Sequence, residues 1–305
     1  PRSPRLLAAV ALPTDFSLGA AVNPVTEHVY VAALSDSLTV VSGATNTILG
    51  TVALRAVPLG IAVSSSPNRV YVATRDSAHL RAAGVLVVLD GTRDTVLARV
   101  TVGVDPLGVA LNPATNRVYV ANTGSDTVSV IDASTYGTVA TVPVGYSPLY
   151  VSANARTNRV YVSHQGSQSI TVLDSSSNAV VSNIAIGDEP REVVVNEATN
   201  RVYVAGPFQG SVTVIDGARN RVLTSLKLGP SPWGLAVDSA RNVVYVTDEL
   251  DNTVWAIQDH RFGLPTARLL ARSSVVARQA PEAMGDPIPG ALSEPCHCDQ
   301  PGSIL

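Results

Sequence analysis

Residues 112–122 read NPATNRVYVAN, and the Val-Tyr-Val at the centre of this stretch recurs five more times along the chain. The copies place a tyrosine at similar intervals, at Tyr30, Tyr71, Tyr119, Tyr161, Tyr203 and Tyr245. A fixed period of about forty residues is typical of repeat architectures, in which each repeat is one structural unit packed on its neighbours. The spacing therefore predicts six equivalent units.

Each repeat contains four short segments with the composition of β-strands. In the third repeat these are residues 107–111, 117–121, 127–131 and 138–144, which are rich in Val, Ile and Thr. Turn-forming Asn, Pro, Gly, Asp and Ser separate them. A helical-repeat solenoid would need apolar residues at i, i+3 and i+4, and the segments lack this spacing. The pattern predicts an all-β fold, a six-bladed β-propeller of four-stranded blades.

The two ends of the chain suggest how the ring closes. Residues 6–12 are apolar and align with fourth strands such as residues 96–102, whereas the last repeat shows three strands that end near residue 257. We expect the N-terminal strand to complete the last blade, which removes exposed strand edges. Residues 266–273 compete for the same place, and seven blades with a degenerate last blade built from both ends are the alternative. The predicted domains are a propeller over residues 1–260 and a C-terminal extension over 261–305.

Composition excludes several classes of partner. The chain has 305 residues, 46% of them hydrophobic, and a net charge of -3 without a basic stripe, so we expect no nucleic-acid partner. No apolar run is long enough for a membrane span, which takes about 18 residues. We expect a monomer. Because the sequence begins at Pro1 without a methionine, an extracytoplasmic or secreted protein with a processed N-terminus is the expectation, and a cytoplasmic one the alternative.

The stretch Asn112–Asn122, followed by Thr-Val-Ser-Val-Ile-Asp at 127–132, resembles the YVTN β-propeller repeat family. The resemblance covers roughly residues 13–258. It implies a propeller similar in fold to WD-repeat and surface-layer propellers and to virginiamycin B lyase. Members of the family often have seven blades, whereas this chain has six repeats. The lyase's catalytic motif has no residue-by-residue match in this chain, so the resemblance assigns no residue a role.

Four repeats carry an arginine before Val-Tyr-Val and an aspartate at the end of the third strand. These positions are neighbours in an antiparallel hairpin, where opposite charges can pair. The predicted pairs are Arg69–Asp90, Arg117–Asp132, Arg159–Asp174 and Arg201–Asp216. We interpret them as structural ion pairs, with a ligand-binding ring of charge as the alternative.

The candidate functional residues are those that break the repeat. The first strand begins Leu-Gly in three repeats, then changes to Leu149-Tyr150, Arg191-Glu192 and Trp233-Gly234. Two residues after Val-Tyr-Val, the fourth and sixth repeats carry His164 and Asp248. These six residues are predicted to surround one depression on one face, where Tyr150, Arg191 and Trp233 would bind a ligand. His164, Glu192 and Asp248 would be the catalytic groups if the protein is an enzyme.

Strand geometry suggests which of these side chains point to the propeller axis. Alternate residues of a strand face opposite sides, so Tyr150 and Glu192 are expected at the axis and Arg191 and Trp233 at the blade edge or under the loops. The alternative is that Tyr150 and Trp233 plug the axis and the charged groups are solvated.

Other chemical signals are weaker. Cys296-His297-Cys298 contains metal-ligating side chains, although a complete site needs further ligands, and incidental thiols in a tail are the alternative. A divalent metal at His164, Glu192 and Asp248 is the one cofactor considered, and none is required.

The second repeat carries an insertion over residues 75–84. No nucleophile elbow, phosphate loop or zinc-protease motif is present. We expect a non-catalytic propeller that binds a small molecule or a protein on its loop face, with a lyase or hydrolase as the alternative.

Overall fold

A computed structural model describes residues 9–13, 17–76, 81–260 and 263–272. Cys296, His297 and Cys298, part of the insertion in the second repeat and residues 6–8 of the predicted N-terminal strand lie outside these ranges. Within them there is no helix long and apolar enough to cross a membrane.

The structure is a six-bladed β-propeller, as the repeat predicts, and each blade is a four-stranded antiparallel sheet in sequence order. Blades one and two contain β1 (Ser17–Asn23), β2 (His28–Ala33), β3 (Ser37–Ser42), β4 (Thr47–Ala53), β5 (Val57–Ser65), β6 (Asn68–Arg75), β7 (Ala83–Asp90) and β8 (Thr95–Val104). Blades three and four contain β9 (Pro106–Asn112), β10 (Arg117–Asn122), β11 (Thr127–Asp132), β12 (Thr138–Pro143), β13 (Pro148–Asn154), β14 (Arg159–His164), β15 (Ser169–Asp174) and β16 (Ala179–Ala185). Blades five and six contain β17 (Val193–Asn196), β18 (Arg201–Gly206), β19 (Ser211–Asp216), β20 (Arg221–Lys227), β21 (Pro232–Asp238), β22 (Val243–Asp248), β23 (Thr253–Gln258) and β24 (Thr266–Arg272).

The repeated Val-Tyr-Val forms the packing between blades. Val118 and Val120 on β10 pack against Tyr71 of the preceding blade, whereas Tyr119 packs against Val160 of the following blade. A second strand is therefore covered on both faces, which explains why all three residues of the motif are apolar or aromatic. All three are fully buried in the third blade.

The polar ends of these side chains are satisfied by the next blade, as buried polar groups generally are. The Tyr119 hydroxyl lies 2.6 Å from Ser175 Oγ, in the turn that follows the third strand of blade four. Tyr71 and Tyr161 donate to the carbonyl oxygens of Ala133 and Gly217, the equivalent turn residues. Each of these three tyrosines therefore links two blades by packing and by a hydrogen bond.

Three of the four predicted Arg–Asp pairs are confirmed. Arg69–Asp90, Arg117–Asp132 and Arg159–Asp174 have N···O distances of 3.6, 2.6 and 2.5 Å. The aspartates also accept hydrogen bonds from the backbone of the turn that follows, and these bonds hold the carboxyl pKa of Asp132 below its ordinary range. The aspartate of the repeat therefore also closes a hairpin turn.

The fourth prediction, Arg201–Asp216, is wrong. The two residues are opposite each other in the strand register, but Arg201 Nη1 lies 2.5 Å from Asp259 of blade six. Asp216 binds Arg219 in its own turn instead, at 2.8 Å. Asp259 stands where other blades have Gly91, Ala133, Ser175 or Gly217, so a carboxylate at this position attracts the arginine of the preceding blade.

Closure of the last blade also differs from the prediction. The outer strand of blade six is β24, which pairs with β23, so another segment takes the place predicted for residues 6–12. Residues 9–12 form no strand. The propeller therefore continues past residue 260, the predicted boundary. Both candidate segments are apolar, and β24 follows β23 after a short connection, which makes its pairing the more local one.

The boundary between blades six and one is less tightly packed than the other boundaries. Five of the repeated tyrosines are completely buried, but Tyr245 is only partly so. On the facing side, Val22 is 60% exposed. Among the described residues no buried hydrophobic cluster joins these two blades, in contrast to the other five boundaries. We call this boundary the seam and define it by Ala20 and Val22 of blade one and Ala236, Tyr245 and Thr247 of blade six.

Candidate functional site: an axial channel

The first strands of all six blades surround a channel at the axis, on the face where these strands begin. The channel encloses about 500 Å³. Its lining is mainly aliphatic, with Leu18, Leu59, Ile61, Leu107, Val109, Val151, Val193 and Leu235. Tyr150, Glu192 and Trp233 also line it, so three of the six predicted site residues are brought together here.

Glycine in the repeated Leu-Gly pair permits close contact between neighbouring first strands. A Cβ added to Gly108 would lie 2.7 Å from the carbonyl oxygen of Leu149 and 2.7 Å from the Cα of Tyr150. Such distances do not occur between real atoms, so blade three requires glycine at this position. Tyr150 and Glu192 replace this glycine in blades four and five, where their side chains enter the channel.

Glu192 is the one carboxyl group among the lining residues that the structure describes. Its Oε2 accepts a hydrogen bond from the backbone N–H of Leu235 in blade six, at 2.7 Å. Its Oε1 has no hydrogen-bond partner within the described parts of the chain. Burial among apolar side chains raises the pKa of Glu192, and the bond from Leu235 opposes this shift. The channel therefore contains a carboxyl group with one free oxygen.

Two aromatic residues stand near this carboxyl group. Burial is the main cause of the raised pKa of the Tyr150 hydroxyl, and the charge of Glu192 adds to it. Trp233 carries the guanidinium group of Arg191 at 4.5 Å from the ring centroid, a cation–π contact. Arg191 is therefore bound to the tryptophan and is not among the channel-lining residues.

The predicted alternation of side chains is only partly correct. Tyr150 and Glu192 reach the channel as expected, but Trp233, expected at the blade edge, lines it too. The register of β21 shifts between Pro232 and Leu235, and that of β13 between Pro148 and Val151. A β-bulge of this kind breaks the two-residue alternation, so adjacent side chains can both approach the axis.

His164 and Asp248 are placed elsewhere and have structural contacts. His164 is fully buried, and its Nε2 lies 2.8 Å from Thr171 Oγ1. Asp248 accepts hydrogen bonds from the backbone N–H groups of Ser231, at 2.8 Å, and Leu250, at 3.1 Å. Neither residue lines the channel. A catalytic role for His164, Glu192 and Asp248 stays a prediction, and the structure does not bring them into one cluster.

The same position in other blades explains these contacts. Asn122 in blade three accepts a hydrogen bond from the N–H of Gly103, near the end of β8 in blade two, at 3.1 Å. Asp248 does the same in blade six through Ser231. Asn122 and Asp248 therefore tie the end of the second strand to the segment of chain that precedes the first strand.

Sequence reasoning missed Asp188, which replaces this contact in blade five. Blade five has Gly206 at the position of Asn122, and the Asp188 carboxyl group occupies the space where a Gly206 side chain would be. Asp188 is 3% exposed and accepts a hydrogen bond from Gln209 N at 3.1 Å. The glycine itself was the signal, because it breaks the polar pattern of the repeat.

Metal binding receives no geometric support in the described ranges. They contain no group of three or more His, Cys, Asp or Glu side chains placed to hold an ion. Cys296, His297 and Cys298 are outside these ranges, so the interpretation of this tripeptide stays a prediction.

No family model matches the chain, and no curated protein matches it in sequence. Its fold is similar to that of solved structures, including hydrazine synthase from Kuenenia stuttgartiensis. That alignment has a TM-score of 0.69 and 22% sequence identity, and it covers 84% of this chain and 80% of that chain. The similarity shows that the chain has the fold of a β-propeller.

Proposed function

We propose that this chain is a YVTN-type β-propeller that binds a small molecule in the axial channel without chemical turnover. The observation that carries the proposal is the open channel of about 500 Å³, lined by aliphatic side chains and a few polar groups. Ligand sites in proteins are typically concave, mainly apolar and about 300–1,000 Å³ in volume. The channel has these properties.

The arrangement of titratable groups favours binding over catalysis. General acid–base chemistry commonly uses a pair of groups within reach of one substrate. Glu192 is in the channel, but the imidazole of His164 faces Thr171. A lyase or hydrolase remains the second candidate, because a carboxyl group with a raised pKa beside a tyrosine can serve as a proton donor.

A protein partner on the same face is supported by a separate observation. Tyr146, in the loop before β13, is 70% exposed, and Phe208, in the loop after β18, is 69% exposed. Large exposed aromatic side chains are enriched at protein interfaces. A ligand in the channel and a protein on the rim are compatible, since the channel opens on this face.

Tryptophan fluorescence offers a direct test, because the chain has two tryptophans, Trp233 in the channel and Trp255 on β23. A small-molecule library is screened with Trp255→Phe, in which Trp233 is the remaining indole. A channel ligand should change the emission of this variant and leave that of Trp233→Phe unchanged. Leu107→Trp, which fills the channel, should abolish binding measured by calorimetry. Ligands that bind Leu107→Trp as tightly as the parent protein would show that the site lies elsewhere.

A further inference from the structure

We propose that the channel ligand is a hydrophobic amine, with its ammonium group on Glu192 and its apolar part extending from the axis into the seam. This inference rests on the proposed function and specifies the class of compound that the same channel takes.

The charges of the lining select against anions. Among the described residues, Glu192 is the one ionisable carboxyl group that lines the channel, and no arginine, lysine or histidine of these residues lines it. The nearest candidate cation, Arg191, is held on the ring of Trp233 at 4.5 Å. An anionic ligand would therefore lie beside a carboxylate without a compensating charge, which is unfavourable in an apolar site. A cation would find a partner.

The hydrogen bonds of Glu192 leave room for a donor. Oε2 is bound to the N–H of Leu235, whereas Oε1 has no partner in the described part of the molecule. An ammonium group has three donors and no acceptor, so it can bond to Oε1 directly. The ring of Tyr150 also lines the channel, and aromatic faces attract cations, whereas the ring of Trp233 already holds Arg191. A carboxyl group beside a tyrosine ring is a suitable site for an organic cation.

The shape of the cavity calls for an apolar body attached to that cation. The lining continues from the axis to seam residues, namely Ala20, Ala236, Tyr245 and Thr247. Ala236 and Thr247 are exposed, whereas the residues equivalent to Thr247 in blades two and three, Ala73 and Ala121, are fully buried by the next blade. The seam therefore extends the channel sideways along a mainly apolar wall. A bare ammonium ion would leave this wall in water, whereas an alkyl or aryl chain would cover it.

Binding should depend on pH in a defined direction. Burial raises the pKa of Glu192, so part of the unliganded protein keeps the carboxyl group protonated above the ordinary pKa of 4.5. An ammonium group favours the ionised form, and binding it therefore releases a proton. Affinity should increase as the pH rises from about 5 towards neutrality, as long as the amine itself stays protonated.

The test compares three compounds with the same body, 4-phenylbutylamine, 4-phenylbutan-1-ol and 4-phenylbutanoic acid, by calorimetry at pH 7. The amine should bind about tenfold more tightly than the alcohol, because a hydrogen bond to a charged group contributes more than a neutral one. The acid should bind most weakly. Glu192→Gln can keep the bond to Leu235 and should weaken the amine about tenfold while it changes the alcohol less than about twofold. Glu249→Gln, at an exposed carboxylate in the loop after β22, is the matched control and should change neither.

The outcomes separate the two proposals. If the alcohol binds as tightly as the amine, or if Glu192→Gln leaves the affinity for the amine unchanged, the amine inference is wrong and channel binding stands. If none of the three compounds binds, while other library members change the emission of Trp233, the inference also fails alone. If no compound of any class changes the fluorescence emission of Trp233, both proposals fail.

Discussion

The carboxyl group of Glu192 in blade five accepts a hydrogen bond from the backbone N–H of Leu235 in blade six, with an O···N distance of 2.7 Å. The equivalent residue in the first three blades is a glycine, Gly19, Gly60 or Gly108. In those blades glycine has no side chain, so the first strand of one blade can lie close to the first strand of the next. Between blades five and six the carboxyl group makes the connection, and it remains part of the channel wall.

Glu192 should make the stability of the protein dependent on pH. Its pKa in the folded state is raised above the ordinary 4.5 by burial. The stabilisation from the protonated group is therefore present below pH 4.5 and lost as the pH rises through the folded-state pKa. The glutamine in Glu192→Gln cannot ionise. The melting temperature of this variant should therefore increase relative to that of the parent as the pH is raised from 4 to 8. Aspartates with lowered pKa values make the protein more stable as the pH rises. The parent and the variant contain the same aspartates, so this contribution cancels when the two are compared. If the difference in melting temperature between the two proteins stays constant across this pH range, the prediction is wrong.

The glycines at the axis should differ in their tolerance of a methyl group. A Cβ on Gly108 would meet backbone atoms of Leu149 and Tyr150 at 2.7 Å, whereas one on Gly19 would meet the oxygen of Leu59 at 3.5 Å, an ordinary contact. We expect Gly108→Ala to lower the free energy of unfolding by about 1–3 kcal/mol, as overpacking typically does. Gly19→Ala should stay within about 0.5 kcal/mol of the parent. Urea denaturation of both variants measures the difference, and equal costs would show that the axis relaxes to accept the methyl group.

The blade count and strand order could be predicted from sequence because Val-Tyr-Val is buried on both faces of the second strand in blades two to five. A motif with that constraint is retained in each repeat, and Tyr119 with Val118 and Val120 shows why. The last strand could not be assigned in the same way. Residues 6–12 and β24 both contain a Leu-Leu pair with neighbouring alanines, and this likeness does not distinguish which of them pairs with β23.

The site could be predicted only in part, for two physical reasons. The bulges at the start of β13 and β21 break the alternation on which the orientation of Trp233 was predicted. His164 differs from the residues at its repeat position, but it still anchors buried structure, so deviation from the repeat did not by itself indicate a ligand site. Tyr150, Glu192 and Trp233 were found because they replace a glycine or leucine at the axis, where a larger side chain must enter the channel.

The ion pair between Arg201 and Asp259 should contribute more to stability than the other Arg–Asp pairs. The Asp259 side chain is 0% exposed and that of Arg201 is 11% exposed, and Asp259 also accepts a hydrogen bond from Asn196 at 2.8 Å. Removal of one partner leaves a buried charge, which costs about 3–5 kcal/mol. Arg117→Ala disrupts a pair with side chains 26% and 22% exposed and should cost at most about 1 kcal/mol. Chemical denaturation tests this order, and a smaller effect for Arg201→Ala would refute it.

His164 should be replaceable by asparagine but not by alanine. Asn122 occupies the same position in blade three and bonds both Gly103 of β8 and Ser129. We therefore expect His164→Ala to cost about 2–3 kcal/mol, from lost packing and the lost hydrogen bond to Thr171, and His164→Asn to cost clearly less. The measurement is the free energy of unfolding at pH 7.5. Equal losses in the two variants would mean that the ring acts by filling space and that its hydrogen bond to Thr171 contributes little.

The same histidine should destabilise the fold in acid. Burial lowers the pKa of His164 below its ordinary value of 6.5, so the unfolded chain takes up a proton before the folded protein does. The stability that the neutral ring contributes is complete above pH 6.5 and decreases as the pH falls below it. The parent should lose more stability than His164→Asn between pH 7.5 and pH 5, and thermal denaturation at both values would detect the difference. Identical losses would show that the ring is accessible to water.

Because the seam is loosely packed, we expect Tyr245→Ala to lower the free energy of unfolding less than Tyr119→Ala does. Tyr119 is completely buried between blades three and four and bonds Ser175, so Tyr119→Ala should cost about 3–5 kcal/mol, like other large aromatic deletions in cores. Tyr245 is partly exposed, and its hydroxyl has no hydrogen bond among the residues that the structure describes. Tyr245→Ala removes fewer contacts and should cost about 1 kcal/mol. Urea denaturation of the two variants measures both costs under identical conditions. If Tyr245→Ala is as destabilising as Tyr119→Ala, blades six and one pack in solution as tightly as the others, and the sideways extension of the channel is closed.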